Sequence, residues 1–287
     1  MEFEVVRSLR ALHSAIARHR NGPLNSAASL AIVPTMGAIH EAHEKLIEEA
    51  KKHADIVMAS IFVNPKQFSE NEDFDNYPKS EREDIEKLKA KGCDIVYIPN
   101  AELMYPKDFD LTINVPILSS VLCGESRPHH FEGVATVVAK LLIQSNADYA
   151  IFGEKDYQQL LIIKTLVKSL NISCKIIEIE TVRDDYGCAL SSRNSYLSKN
   201  NKKIANQINV ILKNMIKNYT IGDDLTKLKN TIKEKFISEG IKDIDYIEIR
   251  NEENLKESST DSHNNRIFIA VHIDGVRLID NMKLNVT

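Results

Sequence analysis

His40 and His43 stand three apart in Pro34-Thr35-Met36-Gly37-Ala38-Ile39-His40-Glu41-Ala42-His43, where an apolar strand gives way to an amphipathic helix. Side chains at i and i+3 share a helix face, and a helix N-terminus offers free N–H groups and a positive dipole end to a phosphate. Imidazoles placed there can donate hydrogen bonds to charge that develops as a triphosphate is attacked. Taken alone, the pair reads more simply as a cap residue and a surface histidine. HEAH also lacks the i, i+4 spacing of a helical zinc pair.

A second strand runs into Asn64-Pro65-Lys66-Gln67. Pro65 stops it, and the amides of Asn64 and Gln67 can both donate and accept, which suits a ligand bearing a carboxylate and a hydroxyl. A plain turn accounts for them equally well. A third strand-to-helix turn reads Gly153-Glu154-Lys155-Asp156-Tyr157-Gln158-Gln159. Here Lys155 is a candidate phosphate ligand, Asp156 a candidate acceptor for a ribose hydroxyl, and Gln159 projects from the first helical turn. A capped helix with a solvated lysine is the plainer reading of one such turn; two on one sheet are harder to dismiss. Leu190-Ser191-Ser192-Arg193 adds two hydroxyls and a guanidinium in a loop suited to closing over phosphates. Arg127-Pro128-His129-His130 adds a basic cluster before a helix. Each of these two loops, alone, is more often solvated surface.

Short apolar runs must position these turns: SLAIVPT, DIVMASIFVN, DIVYIPN, DYAIFG and CKIIEIET, separated by stretches with helical spacing such as HEKLIEEAKKHA and DYQQLLIIKTLVKSL. The alternation predicts an α/β fold, a Rossmann-like doubly wound parallel sheet over residues 1–181. Beyond it, a helical stretch from Lys199 to about Gly240 and three strand-like runs, DIDYIEIR, RIFIAVHI and VRLIDNMKL, predict a smaller C-terminal α+β domain over residues 182–287. NEENLKESSTDSHNN reads as a polar loop between two of those strands.

With 287 residues, 43% hydrophobic and 27% charged, the chain has an ordinary globular composition. Its net charge of −4 disfavours a nucleic-acid partner. No signal-peptide pattern and no membrane-length apolar run is present, so a cytosolic location is expected. Cys93, Cys123, Cys174 and Cys188 show no CxxC spacing, which argues against structural zinc and for buried thiols.

The strings PTMGAIHEAH, SIFVNPKQF, DFDNYPKS, RPHHFEGVATVVAKL, FGEKDYQQL, LSSRNSYL and RLIDN occur in one order over nearly the whole chain. In this the chain resembles the pantothenate synthetase (pantoate–β-alanine ligase) family of the HxGH nucleotidyltransferase superfamily. The resemblance implies a Rossmann-like domain with a smaller lid, a homodimer, and a reaction that joins pantoate to β-alanine while ATP, with Mg²⁺, becomes AMP and pyrophosphate.

Carried over by position, Met36, Gly37, Ala38, Ile39, His40, Glu41, Ala42 and His43 would line the ATP site, with His43 as proton donor. Gly153, Glu154, Lys155, Asp156, Val182, Leu190, Ser191, Ser192 and Arg193 would also bind ATP. His40, His43, Lys155 and Arg193 would carry catalysis. Gln67 and Gln159 would hold pantoate, Gln67 would also lie near β-alanine, and Asp84 would contact magnesium. The chain departs from the family pattern at Ala42 and His129, each standing where the family has glycine. There are two rival readings: an HxGH enzyme that adenylylates a phosphate, against which Gln67 and Gln159 speak, and a non-catalytic relative, against which His40, His43, Lys155 and Arg193 speak.

Overall fold

The computed structural model describes residues 2–21, 28–69, 72–78 and 80–284; Lys79 of DFDNYPKS lies outside them. Six parallel strands, β1 (Glu4–Val6), β2 (Leu30–Thr35), β3 (Ile56–Ile61), β4 (Ile95–Tyr97), β5 (Tyr149–Gly153) and β6 (Lys175–Ile179), form one sheet in the order β1-β4-β3-β2-β5-β6. They are linked by α1 (Leu9–Arg20), α2 (Glu41–His53), α3 (Glu81–Ala90), the single-turn helices α4 (Ala101–Met104), α5 (Pro116–Ser119) and α6 (Cys123–Ser126), α7 (His130–Ser145) and α8 (Tyr157–Ser169).

The strands read as unbroken apolar runs because both faces are covered. Leu30 and Ile32 of β2 and Ile56 and Met58 of β3 pack in one core with Leu12 of α1, Val138 of α7 and Leu160 of α8. Their neighbours Ala31, Val33, Val57 and Ala59 point the other way, into a core with Ile47 of α2 and Leu88 of α3. β1, a three-residue edge strand paired with β4, was not anticipated; its length is too short for any periodicity to show.

A smaller unit follows: α9 (Lys199–Lys217), α10 (Leu225–Ser238) and an antiparallel sheet of β7 (Asp243–Asn251), β8 (Asn265–Ile273) and β9 (Val276–Lys283). Its core, with Leu212, Ile232, Phe236, Ile267 and Ile269, begins at Cys188. The single helical stretch expected to Gly240 is two helices. The second starts where the Asp224 carboxylate caps the N–H groups of Thr226 and Lys227.

The strand order reverses between β2 and β5, and the chain opens there for a local reason. Alternate residues of a strand aim their backbone groups at opposite neighbours. The carbonyls of Ser29 and Thr35 accept from Ile56 and Phe62 on the β3 side, whereas that of Leu30 accepts from Asp148 on the β5 side. Pro34 therefore faces β5, where it has no N–H to offer. The β2–β5 ladder stops at Ile32, while β2–β3 runs on to Thr35. The two strands part at their carboxyl ends, the place where doubly wound sheets bind ligands.

Close backbone packing sets the second wall. The short 3-10 turn Pro65–Gln67 lies against the first turn of α7 at Gly133, where an added Cβ would come within 2.2 Å of the Lys66 carbonyl oxygen. Gly133→Ala is expected to cost roughly 1–3 kcal/mol through overpacking, lowering the thermal midpoint by several degrees and displacing Gln67. Calorimetry of the variant checks this; an unchanged midpoint would show that the turn yields freely.

Candidate active site

Thr35 begins the first turn: its hydroxyl donates to the Ser60 carbonyl (2.7 Å) and accepts from Gly37 N–H (3.1 Å). Gly37 and Ala38 then take positive φ, +83° and +51°. This bends the chain so that the N–H groups of Ala38 and Ile39 point at one spot, a concavity that binds anions. The occupant is Asp84 of α3, whose two carboxylate oxygens accept from Ala38 (2.8 Å) and Ile39 (2.7 Å). Lys87, one turn on, donates to the Ile39 carbonyl at 2.8 Å.

Asp84 is 1% exposed and lines no part of the cleft. Both of its oxygens accept from the backbone of the turn, so Asp84 clamps that turn. Gly37, Ala38 and Ile39 likewise shape the turn from behind the cavity wall, and Glu41 is exposed beside it.

Past the clamp, His40 caps α2 and its N–H donates to His43 Nδ1 at 3.4 Å; the two rings lie 4.2 Å apart. With Nδ1 accepting, a neutral His43 carries its proton on Nε2. Burial pushes the His40 pKa down to about 4, helped by the charges of Lys155 and Lys87. Burial, then His40 and the same lysines, push His43 to about 3. Both are uncharged at neutral pH, and each neutral ring carries one N–H that can donate a hydrogen bond.

His40 and His43 border a cavity of about 250 Å³ between the ends of β2 and β5. Met36, Ala42 and Gln67 line it from the β2 and β3 side, and Gly153, Lys155, Asp156 and Gln159 from the β5 side. Val182, Leu190, Ser191, Ser192 and Arg193 complete it from the segment that leads into the smaller unit. A second cavity of about 360 Å³, between the two units, shares Lys155, Asp156, Gln159, Ser191 and Arg193 with the first. Glu154 is the expected residue that turns away: its carboxylate sits 3.6 Å from Arg266.

Gln67 is held by groups that local sequence did not single out for this task. Asn64, 1% exposed, donates to the Gln67 Oε1 (3.0 Å) and to the Gly133 carbonyl (3.1 Å). His130 donates from Nδ1 to the Gln67 carbonyl (2.7 Å), so its Nε2 accepts from Arg127 (3.0 Å), which is itself gripped at 2.6 Å by both oxygens of Glu72. Burial and then the Arg127 charge lower the His130 pKa to about 4. Among the described residues the Gln67 amide nitrogen meets only the Met36 sulfur, at 3.2 Å, a weak acceptor that a carboxylate oxygen would outcompete.

On the other side, Asn281 of β9 donates to the carbonyls of Glu154 and Lys155, both at 2.9 Å. Arg183 pairs with both oxygens of Asp280, at 2.6 and 2.9 Å. RLIDN thus straps the smaller sheet to the Lys155 turn, a role with no local sequence signal.

The two family glycines behave differently. Ala42 lies within α2, where no positive φ is needed, so its methyl group matters only for the space in the cavity. His129 caps α7 at φ +63°, a conformation that costs an ordinary residue about 1–2 kcal/mol, with its exposed ring 3.0 Å from Glu132.

Three neutral, half-buried histidines give a pH signature. Their folded pKa values, about 4, 3 and 4 for His40, His43 and His130, lie below the unfolded value near 6.5. Below pH 6.5 the unfolded chain binds protons that the folded one refuses, so stability present above that pH is lost on acidification. Stability against denaturant is expected to fall steadily from about pH 6.5 to 5, and His130→Asn to flatten that slope. An unchanged slope would mean that His130 is charged in the fold.

The sequence model of the family described as pantoate-beta-alanine ligase matches residues 4–283. A pantothenate synthetase from Ruegeria sp. (strain TM1040) is 42% identical over 254 residues, covering 88% of this chain and 91% of that protein. One from Ruegeria pomeroyi is 38% identical over 285 residues, 99% of each. The crystal structure of pantothenate synthetase from Thermus thermophilus superposes with a TM-score of 0.91 at 34% identity, covering 99% of this chain and 100% of that one. Pantoate-beta-alanine ligase from Francisella tularensis, crystallised with beta-gamma ATP and beta-alanine, gives 0.80 at 37% identity, with 98% of each chain covered. The chain belongs to the pantoate–β-alanine ligase family.

Proposed function

We propose that the cleft carries out ATP-dependent ligation of pantoate and β-alanine in two steps, residues 1–181 holding ATP and pantoate and residues 182–287 serving as the lid. One observation carries the reading: a cavity at the parted ends of β2 and β5 is lined at once by a pair of neutral amides, Gln67 and Gln159, and by His40, His43, Lys155 and Arg193. Neutral amides suit an acceptor bearing a carboxylate and a hydroxyl; the imidazoles and cations suit a polyphosphate.

The pantoate carboxylate oxygen attacks the α-phosphorus in line. An oxygen–phosphorus bond forms, the bond to the bridging oxygen breaks, and pyrophosphate leaves with the electron pair. The β-alanine amine then attacks the carbonyl of the pantoyl adenylate, loses a proton, and AMP departs. The protein contributes position and charge stabilisation. Gln67 and Gln159 orient pantoate. His40 and His43 donate hydrogen bonds to phosphate oxygens, and Lys155 and Arg193 balance the charge that builds on the departing pyrophosphate. Asp156 accepts from a ribose hydroxyl, and Val182 meets the base.

Mg²⁺ supplies further neutralisation of the triphosphate when bound. Among the described residues no cluster of three or more His, Cys, Asp or Glu could cage a metal. Asp84 would be the protein's contact to an ion otherwise held by phosphate oxygens and water, as is usual for Mg²⁺. The same family reading carries a homodimer in the cytosol with no nucleic-acid or membrane partner, and the net charge of −4 agrees with the former absence.

Purified protein is expected to release AMP only with ATP, Mg²⁺ and pantoate together, and to form pantothenate when β-alanine is added; no turnover under those conditions defeats the proposal. His43→Ala should slow adenylation about 10²–10³-fold, the cost of one preorganised donor, without unfolding the protein. Wild-type rates in that variant would take His43 out of the chemistry. Ala42→Gly should lower the KM for ATP by removing a methyl from the cavity, and an unchanged KM would show that the methyl crowds nothing.

A further inference from the structure

The turn that carries Arg193 does not stand alone over the cleft. A 3-10 turn, Ser192–Tyr196, rests on residues 73–77 of the large unit through three sets of polar contacts. Arg193 donates from Nε and Nη2 to the two oxygens of Asp73, at 3.1 and 2.7 Å. Tyr77 and Ser192 share a hydrogen bond between hydroxyls at 3.3 Å, and the Tyr196 hydroxyl donates to the Asn76 carbonyl at 3.1 Å.

Arg193 is the member of this group that lines both cavities. Its pairing with Asp73 uses one edge of the guanidinium. Nη1 makes no hydrogen bond among the described residues, and a guanidinium presents five N–H donors in a fixed fork. An arginine held by one edge keeps its other end in a set direction, so less side-chain entropy is lost when an anion arrives. Neighbouring Glu72 grips Arg127 in the same two-pronged way, at 2.6 Å on each oxygen. The two adjacent acids of this segment thus each hold one arginine at the cleft.

We propose that Asp73 is a positioning residue for ATP: it holds Arg193 by the Nε–Nη2 edge, pins the Ser192–Tyr196 turn over the cleft, and leaves Nη1 free for the polyphosphate. The inference rests on the ligand being ATP. It assigns Asp73 no contact with substrate; its effect passes through Arg193. An opposite role is also physically available to this pair, in which Asp73 competes with phosphate for the guanidinium and restrains activity. The two roles differ in sign.

Steady-state kinetics of AMP release, with ATP varied at saturating pantoate, separate them. Asp73→Ala is expected to raise the KM for ATP roughly tenfold, the scale of one charge-assisted contact, with a smaller fall in kcat. Asp73→Glu, which keeps the carboxylate, should recover most of the loss, and the KM for pantoate should stay near wild type. In an Arg193→Ala background, Asp73→Ala should add little, because the partner through which it acts is gone.

A lowered or unchanged KM for ATP in Asp73→Ala would overturn the proposal, and so would effects of the two substitutions that simply add. Thermal melts of each variant, with Asp73→Asn as the isosteric control, show that a folded protein is being measured. Failure of the wild type to release AMP would instead strike the proposed function, so the two failures are told apart by the unsubstituted enzyme.

Discussion

Between β2 and β5 the hydrogen-bond ladder ends after two registered pairs, because the next backbone group that β2 would turn toward β5 belongs to Pro34. A missing N–H is a fixed covalent fact, and no repacking can restore that rung. The strands diverge, the turns that follow them are held apart, and the space between becomes the cleft. The clamp of Asp84, the histidine pair, the amide of Gln67 and the Lys155 turn all take their places relative to that gap.

Around the gap the protein spends carboxylates on holding other groups still. Asp84 occupies the concavity of Ala38 and Ile39, Glu72 and Asp73 each fork an arginine, and Asp280 forks Arg183. The acidic side chains that border the cleft are thereby partly neutralised by the groups they hold, while burial keeps His40 and His43 neutral. A site arranged this way needs little reorganisation when charge shifts in a transition state, which is where most electrostatic catalysis comes from.

The two units are tied at the same place. Asn281 holds the carbonyls of the Lys155 turn, the Arg266 guanidinium lies 3.9 Å over the Tyr157 ring, and Cys123 lies 3.1 Å from the Tyr246 hydroxyl. The smaller sheet therefore supports the Lys155 turn as well as carrying the loop above it. All four cysteines are free and buried, in keeping with a packing role.

Five of the six parallel strands, the three antiparallel ones and the positions of the ligand-bearing turns were legible in the sequence, because apolar runs and the residues that break them act locally. The pairing of Gln67 with Gln159 on one cavity was legible only through the ordered family strings. What the tertiary structure decided was orientation. The clamping contact of Asp84 has no mark in the sequence, since the two N–H groups it meets lie 45 and 46 residues away. His43 carries its proton on Nε2 because of a bond to the chain beside it, and burial decides that the proton stays single. Asp73 and Asn281 stand in the family strings DFDNYPKS and RLIDN, but nothing local gives their task; folding brings them to Arg193 and Lys155 across 120 and 126 residues. Periodicity and turn chemistry are properties of neighbours along the chain, whereas charge partners and hydrogen-bond direction are properties of neighbours in space.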